Sequence, residues 1–205
     1  MGPERTRAPA MLVPFRRRTL FAAAAALGAG LWVREGKGQS VEVPLRLQAE
    51  LLARVAAYDR SFAPRARGHV LVLIAMKPGN AESERVAQQM EAELRVLTQI
   101  GGLPHTEEIM RYSSASALAE LCKSRLPAIV YVSLGLGDQM ESIANALDGI
   151  SVLSVSATAS YVARRAVLGF DAESGKPKLV VHLGQARRQR VAFKSGLLAI
   201  ARVIQ

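Results

Sequence analysis

One cysteine, Cys122, occurs in 205 residues, so no intrachain disulfide can staple this fold and its stability has to come from a buried core. Spaced at helical intervals from Leu118 and beside Leu121, that cysteine reads as a small buried hydrophobe rather than a nucleophile. Aromatic residues make up 5% of the chain and are not interleaved with Lys or Arg, which argues against nucleic-acid binding. Only three histidines occur, His69, His105 and His182, each at or in an expected strand. None has a second His or Cys at metal-ligand spacing, so a structural role is expected and no metal or other cofactor. The chain also lacks a GxSxG elbow, a P-loop and an HExxH helix, so nucleophilic, phosphoryl-transfer and zinc-hydrolase chemistry have no recognisable carrier. Glu107 and Glu108 are adjacent on an expected strand and therefore point to opposite faces, the wrong arrangement for an acid–base pair. Repeats and low-complexity tracts are absent, and a binding or regulatory module is favoured over an enzyme.

What is present begins with charge. The chain carries 27 Lys/Arg against 17 Asp/Glu, a formal +10, but residues 1–38 hold seven of the basic and two of the acidic residues. The remaining 167 residues are left with 20 against 15, a mild excess rather than a nucleic-acid footprint. Residues 1–38 have the layout of an export signal: Arg16-Arg17-Arg18, then Thr19-Leu20-Phe21 and an Ala/Gly-rich apolar run to Val33. Arg17 to Phe21 resembles a twin-arginine signal, and the general secretory route is the alternative. The fourteen-residue run falls short of the roughly 20 apolar residues a stable span needs. A cleaved leader is therefore expected, with a retained inner-membrane anchor as the other reading.

Residues 39–205 alternate helical and strand patterns. Leu47, Leu51, Val55, Tyr58 and Phe62 mark one helix face, ending at Tyr58-Asp59-Arg60 before Pro64. His69 to Met76 is an unbroken apolar run expected to be a central strand, broken by Pro78-Gly79-Asn80. Asn80 is placed to cap the next helix, whose stripe is Val86, Met90, Leu94 and Leu97. Strands are expected at 105–112, 128–134 and 150–157, with helices around Leu118 and Met140, the latter opened by a capping box of Asp138 and Glu141. Residues 167–170 and 179–183 flank Ser174-Gly175 and read as an antiparallel hairpin. Leu197, Leu198, Ile200, Val203 and Ile204 give an apolar terminus expected to dock on the core. The fold class is α/β: a single three-layer domain, its mostly parallel sheet flanked by helices, with an antiparallel C-terminal hairpin edge.

In such sheets ligands sit beyond the carboxyl ends of the strands, here at residues 78–83, 113–116, 135–139 and 156–158. Gly135-Leu136-Gly137 has the strand–turn–helix context of a dinucleotide fingerprint but places Met140 where the third small residue belongs, so a tight turn explains it better. Arg187-Arg188-Gln189-Arg190 with Lys194 reads as a solvated helix face, with an anion-binding patch as its functional alternative.

Three stretches together resemble the YfiR/HmsC family of exported bacterial regulators. They are Leu47 to Leu52 with Tyr58-Asp59-Arg60; the strand ending at Met76 with Pro78-Gly79-Asn80 and Ser83; and Leu168-Gly169-Phe170, Lys176 to Leu183 and Ser195 to Ile204. His182 stands where the family usually carries Asn, and the cysteine pairs of some members are missing. The resemblance implies a non-catalytic periplasmic protein that controls an inner-membrane signalling protein, a diguanylate cyclase making cyclic di-GMP or a sensor histidine kinase, by binding its periplasmic sensor domain. Asp59, Arg60, Asn80 and Ser83, polar groups at element ends, are the residues expected to line the recognition region. The alternative is a periplasmic small-molecule-binding protein using the strand-end loops as half a cleft, which a homodimer would complete.

Overall fold

The apolar run at 70–76 organises the domain. It forms β1 (Val70–Met76), hydrogen-bonded on one side to β2 (His105–Arg111) and on the other to β3 (Ile129–Val132), both parallel to it. The computed structural model in which this is seen describes residues 43–205; the export signal read at 1–38 lies outside the described residues. Among the described residues no helix is long and apolar enough to cross a membrane.

β4 (Leu153–Ser156), β5 (Leu168–Glu173), β6 (Lys176–His182) and β7 (Arg202–Ile204) complete a seven-stranded sheet ordered β2-β1-β3-β4-β5-β6-β7. The first five strands run parallel, and β6 returns antiparallel to β5. That reversal is a two-residue turn in which Ser174 and Gly175 both have positive φ, 52° and 74°, the backbone whose twist matches a right-handed hairpin. The late hairpin is thus present, and β7 adds a short strand outside it, parallel to β6.

Side chains alternate across the sheet as strand geometry requires. Val72, Ile74, Ile129, Tyr131, Leu153 and Val155 pack with Leu52 and Val55 of α1 (Leu45–Ala56) and with Val86, Met90 and Leu94 of α3 (Ala81–Arg95). Leu73, Ala75, Val130 and Val132 pack on the opposite face with Leu118 and Cys122 of α4 (Ala115–Arg125) and Met140 and Ile143 of α5 (Met140–Ala146). Three shorter helices lie near the sheet ends: α2 (Phe62–Ala66) links α1 to β1, and α6 (Leu183–Arg188) and α7 (Ser195–Leu198) lie between β6 and β7.

Three local expectations are corrected. The first helix stops at Ala56, short of Tyr58-Asp59-Arg60, and Phe62 opens α2, where Pro64 stands in the first turn that tolerates a missing N–H. The capping box at Asp138 does not form: Gly137–Gln139 is a 3₁₀ turn without a side-chain cap, and Asp138 lies 3.3 Å from Arg164 Nη1 instead. The terminus docks through Leu197, 2% exposed, and through the backbone pairing of β7, whereas Ile200 is 63% exposed.

Candidate functional site

The strand order β2-β1-β3 places a topological switch point between β1 and β3. The helix after β1 covers one face, while α4 and α5 cover the other, so the loops leaving β1 and β3 diverge to opposite sides and open a crevice where α/β proteins commonly bind ligands. Asn80 and Ser83 follow β1 at this point, and Ser133 and Gly135 follow β3.

In this chain the crevice is closed from within. Asn80 caps α3, its Oδ1 accepting the Ser83 N–H at 2.8 Å. Ser83 Oγ accepts the Lys77 N–H at 2.8 Å and lies 2.7 Å from Ser133 Oγ. Ser133 donates to Ala75 O at 2.8 Å, so the Ser83 hydroxyl is the donor between the two serines. Gly135, with φ of 81°, lets the second loop come up against Asn80; a Cβ there would stand 3.1 Å from Asn80 Cγ. Further along the same edge Tyr161 Oη accepts the Leu136 N–H at 3.0 Å, and burial pushes the Tyr161 hydroxyl pKa up. The turn amide that a phosphate would use in a dinucleotide site is therefore already bonded to the protein.

Asp59 and Arg60 lie elsewhere. Asp59 Oδ1 accepts the Ser61 and Ala192 N–H groups, both at 2.9 Å, and Oδ2 is 2.8 Å from Arg65 Nη1. Arg65 Nε donates to Ser151 Oγ at 3.2 Å and Nη2 to Arg190 O at 3.3 Å. Burial lowers the pKa of Arg65, opposed by its charge contact and hydrogen bond with Asp59. Asp59 thus latches residues 190–193 to the corner between α1 and α2, while Arg60 is exposed and donates its backbone N–H to Ala192 O at 2.9 Å. The α2 helix leads directly into β1 and Ser151 precedes β4, so this latch is at the amino ends of the strands, with the length of β1, about 20 Å at roughly 3.3 Å per residue, between it and the switch point.

The four residues expected to line one region therefore form two groups. Asn80 and Ser83 are brought together at the switch point, Asp59 and Arg60 at the opposite end. Within each group one member is enclosed, Asp59 at 4% and Ser83 at 0% exposure, and one reaches solvent. Ser133, Arg65 and Ser151 complete these clusters and carried no signal in the sequence: Ser133 meets Ser83 across 50 residues and Ser151 meets Arg65 across 86, while Arg65 pairs with Asp59 only six residues away but across the turn between two helices. A third feature is a cleft of about 370 Å³ between α1 and the hairpin, floored by Leu51, Pro177, Leu179 and Ile200 and rimmed by Glu173, Lys176 and Lys178. Among the described residues no group of three His, Cys, Asp or Glu side chains is placed to hold a metal ion.

Fold and site define a single-lobed α/β domain whose switch point is closed by its own side chains. The family model DUF4154, YfiR/HmsC-like, matches residues 46–202, and the chain belongs to that family. No curated protein matches the chain at a significant level. Solved structures share the fold. A conserved domain protein from Vibrio cholerae O1 biovar El Tor is 13% identical with a TM-score of 0.54, the match covering 79% of this chain and 60% of that one. The ABC domain from Streptococcus pneumonia in complex with L-Trp is 11% identical with a TM-score of 0.58, covering 78% and 62%. CD0873, a substrate-binding protein with adhesive properties from Clostridium difficile in a ligand-free open form, is 11% identical with a TM-score of 0.53, covering 83% and 66%. The chain spans less than two thirds of each of these proteins.

Proposed function

We propose that this chain is a non-catalytic periplasmic regulator that binds the periplasmic sensor domain of an inner-membrane signalling protein, a diguanylate cyclase or a sensor kinase, and sets its activity. Membership of the YfiR/HmsC-like family over residues 46–202 carries this reading. The closed crevice supports it, because polar groups bonded to one another leave the outer surface, rather than an enclosed ligand, as the means of recognition. A bound regulator shifts a sensor between two states only by its differential affinity for them. In this reading Arg60 and Asn80 meet the partner, and Asp59 and Ser83 hold their backbones in place.

The test is cyclic di-GMP measured in cells that export the chain, retain it in the cytosol, or lack it, together with periplasmic cross-linking and identification of the captured inner-membrane protein. The reading expects a cyclic di-GMP change that requires export, and a cross-link weakened by Arg60→Glu. Nucleotide levels that are the same in all three strains, with no cross-link, would sink it.

The second reading, a periplasmic small-molecule-binding protein, is favoured by the shared fold with the pneumococcal L-Trp complex. It requires a second copy of the chain to supply the missing lobe. Ligand-dependent dimerisation in sedimentation experiments would distinguish it from the regulator.

A further inference from the structure

Three helices, α2, α4 and α6, close on residues in the left-handed backbone region, and none of the three is glycine: Arg67 at φ 52°, Leu126 at φ 53° and Arg190 at φ 54°. The closures are regular ones. The Arg67 N–H bonds back to Ala63 O, the Leu126 N–H to Cys122 O, and the Val191 N–H reaches Ala186 O across Arg190. Glycine is the usual residue at such positions, since any Cβ is disfavoured there. All three residues line one cavity of about 350 Å³ at the amino ends of the strands, completed by Ser61, Pro64, Arg65 and Ser151. Left-handed non-glycine residues gathered around a cavity are the kind of outlier from which a functional inference starts.

The charge in the cavity is unbalanced. Arg65 is neutralised by Asp59, whereas among the described residues neither Arg67 nor Arg190 has a carboxylate within ion-pair distance. The three helix ends bring partial negative charge, about half a unit at most from eleven-residue α4 and less from α2 and α6 with five and six residues, so two full guanidinium charges outweigh them together. Ser61 and Ser151 add hydroxyls, and Leu126 and Pro64 add an apolar wall.

We propose that this cavity is a binding site for a small organic phosphate, the phosphoryl oxygens held by Arg67 and Arg190 and the carbon part lying on Leu126 and Pro64. Guanidinium groups offer paired N–H donors that suit phosphate oxygens. The strain at 67 and 190 is then the cost of keeping arginine where glycine would fold better. The inference does not rest on the regulatory reading: Arg60 lies beside Ser61 at this same end of the sheet, but the phosphate is held by Arg67 and Arg190, which that reading does not use.

The experiment measures the melting temperature and the calorimetric affinity of the full chain with glycerol 3-phosphate and with inorganic phosphate, using acetate at equal ionic strength as control. Phosphatidylglycerol vesicles form a separate arm. The expected result is a saturable phosphate-dependent rise in melting temperature that acetate does not give. The double variant Arg67→Gly/Arg190→Gly should melt higher than the parent without ligand, because its backbone is relieved, and should bind glycerol 3-phosphate at least tenfold more weakly. Leu126→Gly relieves the same strain without removing charge and should keep the inorganic phosphate response. Vesicle binding in place of the soluble ester, lost in the double variant, would support the site and put its phosphate in a lipid headgroup. A parent that responds equally to acetate, or a double variant that keeps the full phosphate response, would overturn the proposal.

Discussion

The hydroxyls of Ser83 and Ser133 meet at 2.7 Å across the switch point of the sheet, joining the helix that follows β1 to the end of β3. This contact is one link of a chain that runs from the Lys77 N–H through both serines, each fully buried, to Ala75 O. The crevice is thereby held shut by groups that satisfy one another, and the loop bearing Asn80 is fixed to the sheet.

Ser83→Ala strips the Lys77 N–H and the Ser133 hydroxyl of a partner at once, and leaving such groups unsatisfied costs about 1–3 kcal/mol. Ser133→Ala is expected to cost a similar amount. Because the two residues share one network, the double variant should lose less than the sum, by roughly 0.5–3 kcal/mol. Urea denaturation of the four proteins measures this, and strict additivity would show that the serines do not act together.

Asp59 provides a sharper contrast with its neighbour. Asp59→Ala leaves the Arg65 guanidinium, with a side chain 2% exposed, without its counter-charge, and breaking a buried ion pair in this way costs about 3–5 kcal/mol. Arg60→Ala removes an exposed side chain and should stay within roughly 0.5 kcal/mol. The pairing Asp59→Leu/Arg65→Met should recover most of the loss, since neither charge is then stranded. An Asp59→Ala variant as stable as the parent would remove the structural role assigned to this carboxylate.

Gly169 sits in β5 where no side chain fits. An added Cβ would meet Val162 Cγ2 at 2.5 Å, Ser156 Oγ at 2.9 Å and Thr158 O at 3.1 Å, and Ser156 Oγ is itself held by donating to Thr158 O. Gly169→Ala is therefore expected to destabilise by about 1–3 kcal/mol through overpacking. Gly175→Ala is the control: its surroundings are open, so only the left-handed backbone is penalised, by about 1 kcal/mol. Denaturation midpoints that rank the two the other way would contradict the packing argument.

The Leu168-Gly169-Phe170 stretch also shows what a sequence can and cannot convey. Apolar runs such as Val70–Met76 announce central strands because burial on both faces demands them, and the Asn80 cap is legible because its partner Ser83 is three residues away. Partners separated by long stretches leave no such trace: Ser83 finds Ser133 across 50 residues, and Arg65 finds Ser151 across 86. The capping box read at Asp138 failed for the same reason, since Arg164, 26 residues on, competes for the carboxylate. The exposed Ile200 shows that an apolar pattern at a chain end signals docking without saying which residues dock.

His182, read from the sequence as standing where an Asn is expected, performs the task for which Asn is well suited. It is the N-cap of α6, its Nδ1 accepting the Gln185 N–H at 3.2 Å, and Asn is among the strongest N-caps because its side-chain oxygen accepts the same bond. Unlike Asn, imidazole can accept at Nδ1 only while that nitrogen is unprotonated. Desolvation lowers the His182 pKa below 6.5, and the positive charges of Arg165 and Arg188 lower it further. The folded state then binds fewer protons than the unfolded state between the depressed pKa and the ordinary one. Stability from this group is complete above about pH 6.5 and is lost as pH falls through the folded-state pKa. His182→Asn should keep the cap, match the parent at pH 7.5, and lose less stability than the parent on acidification to pH 5. His182→Ala should cost about 1 kcal/mol at pH 7.5. Melting curves of the three proteins from pH 5 to 8 provide the check; parallel pH profiles for the parent and His182→Asn would show that the imidazole does not titrate against the cap.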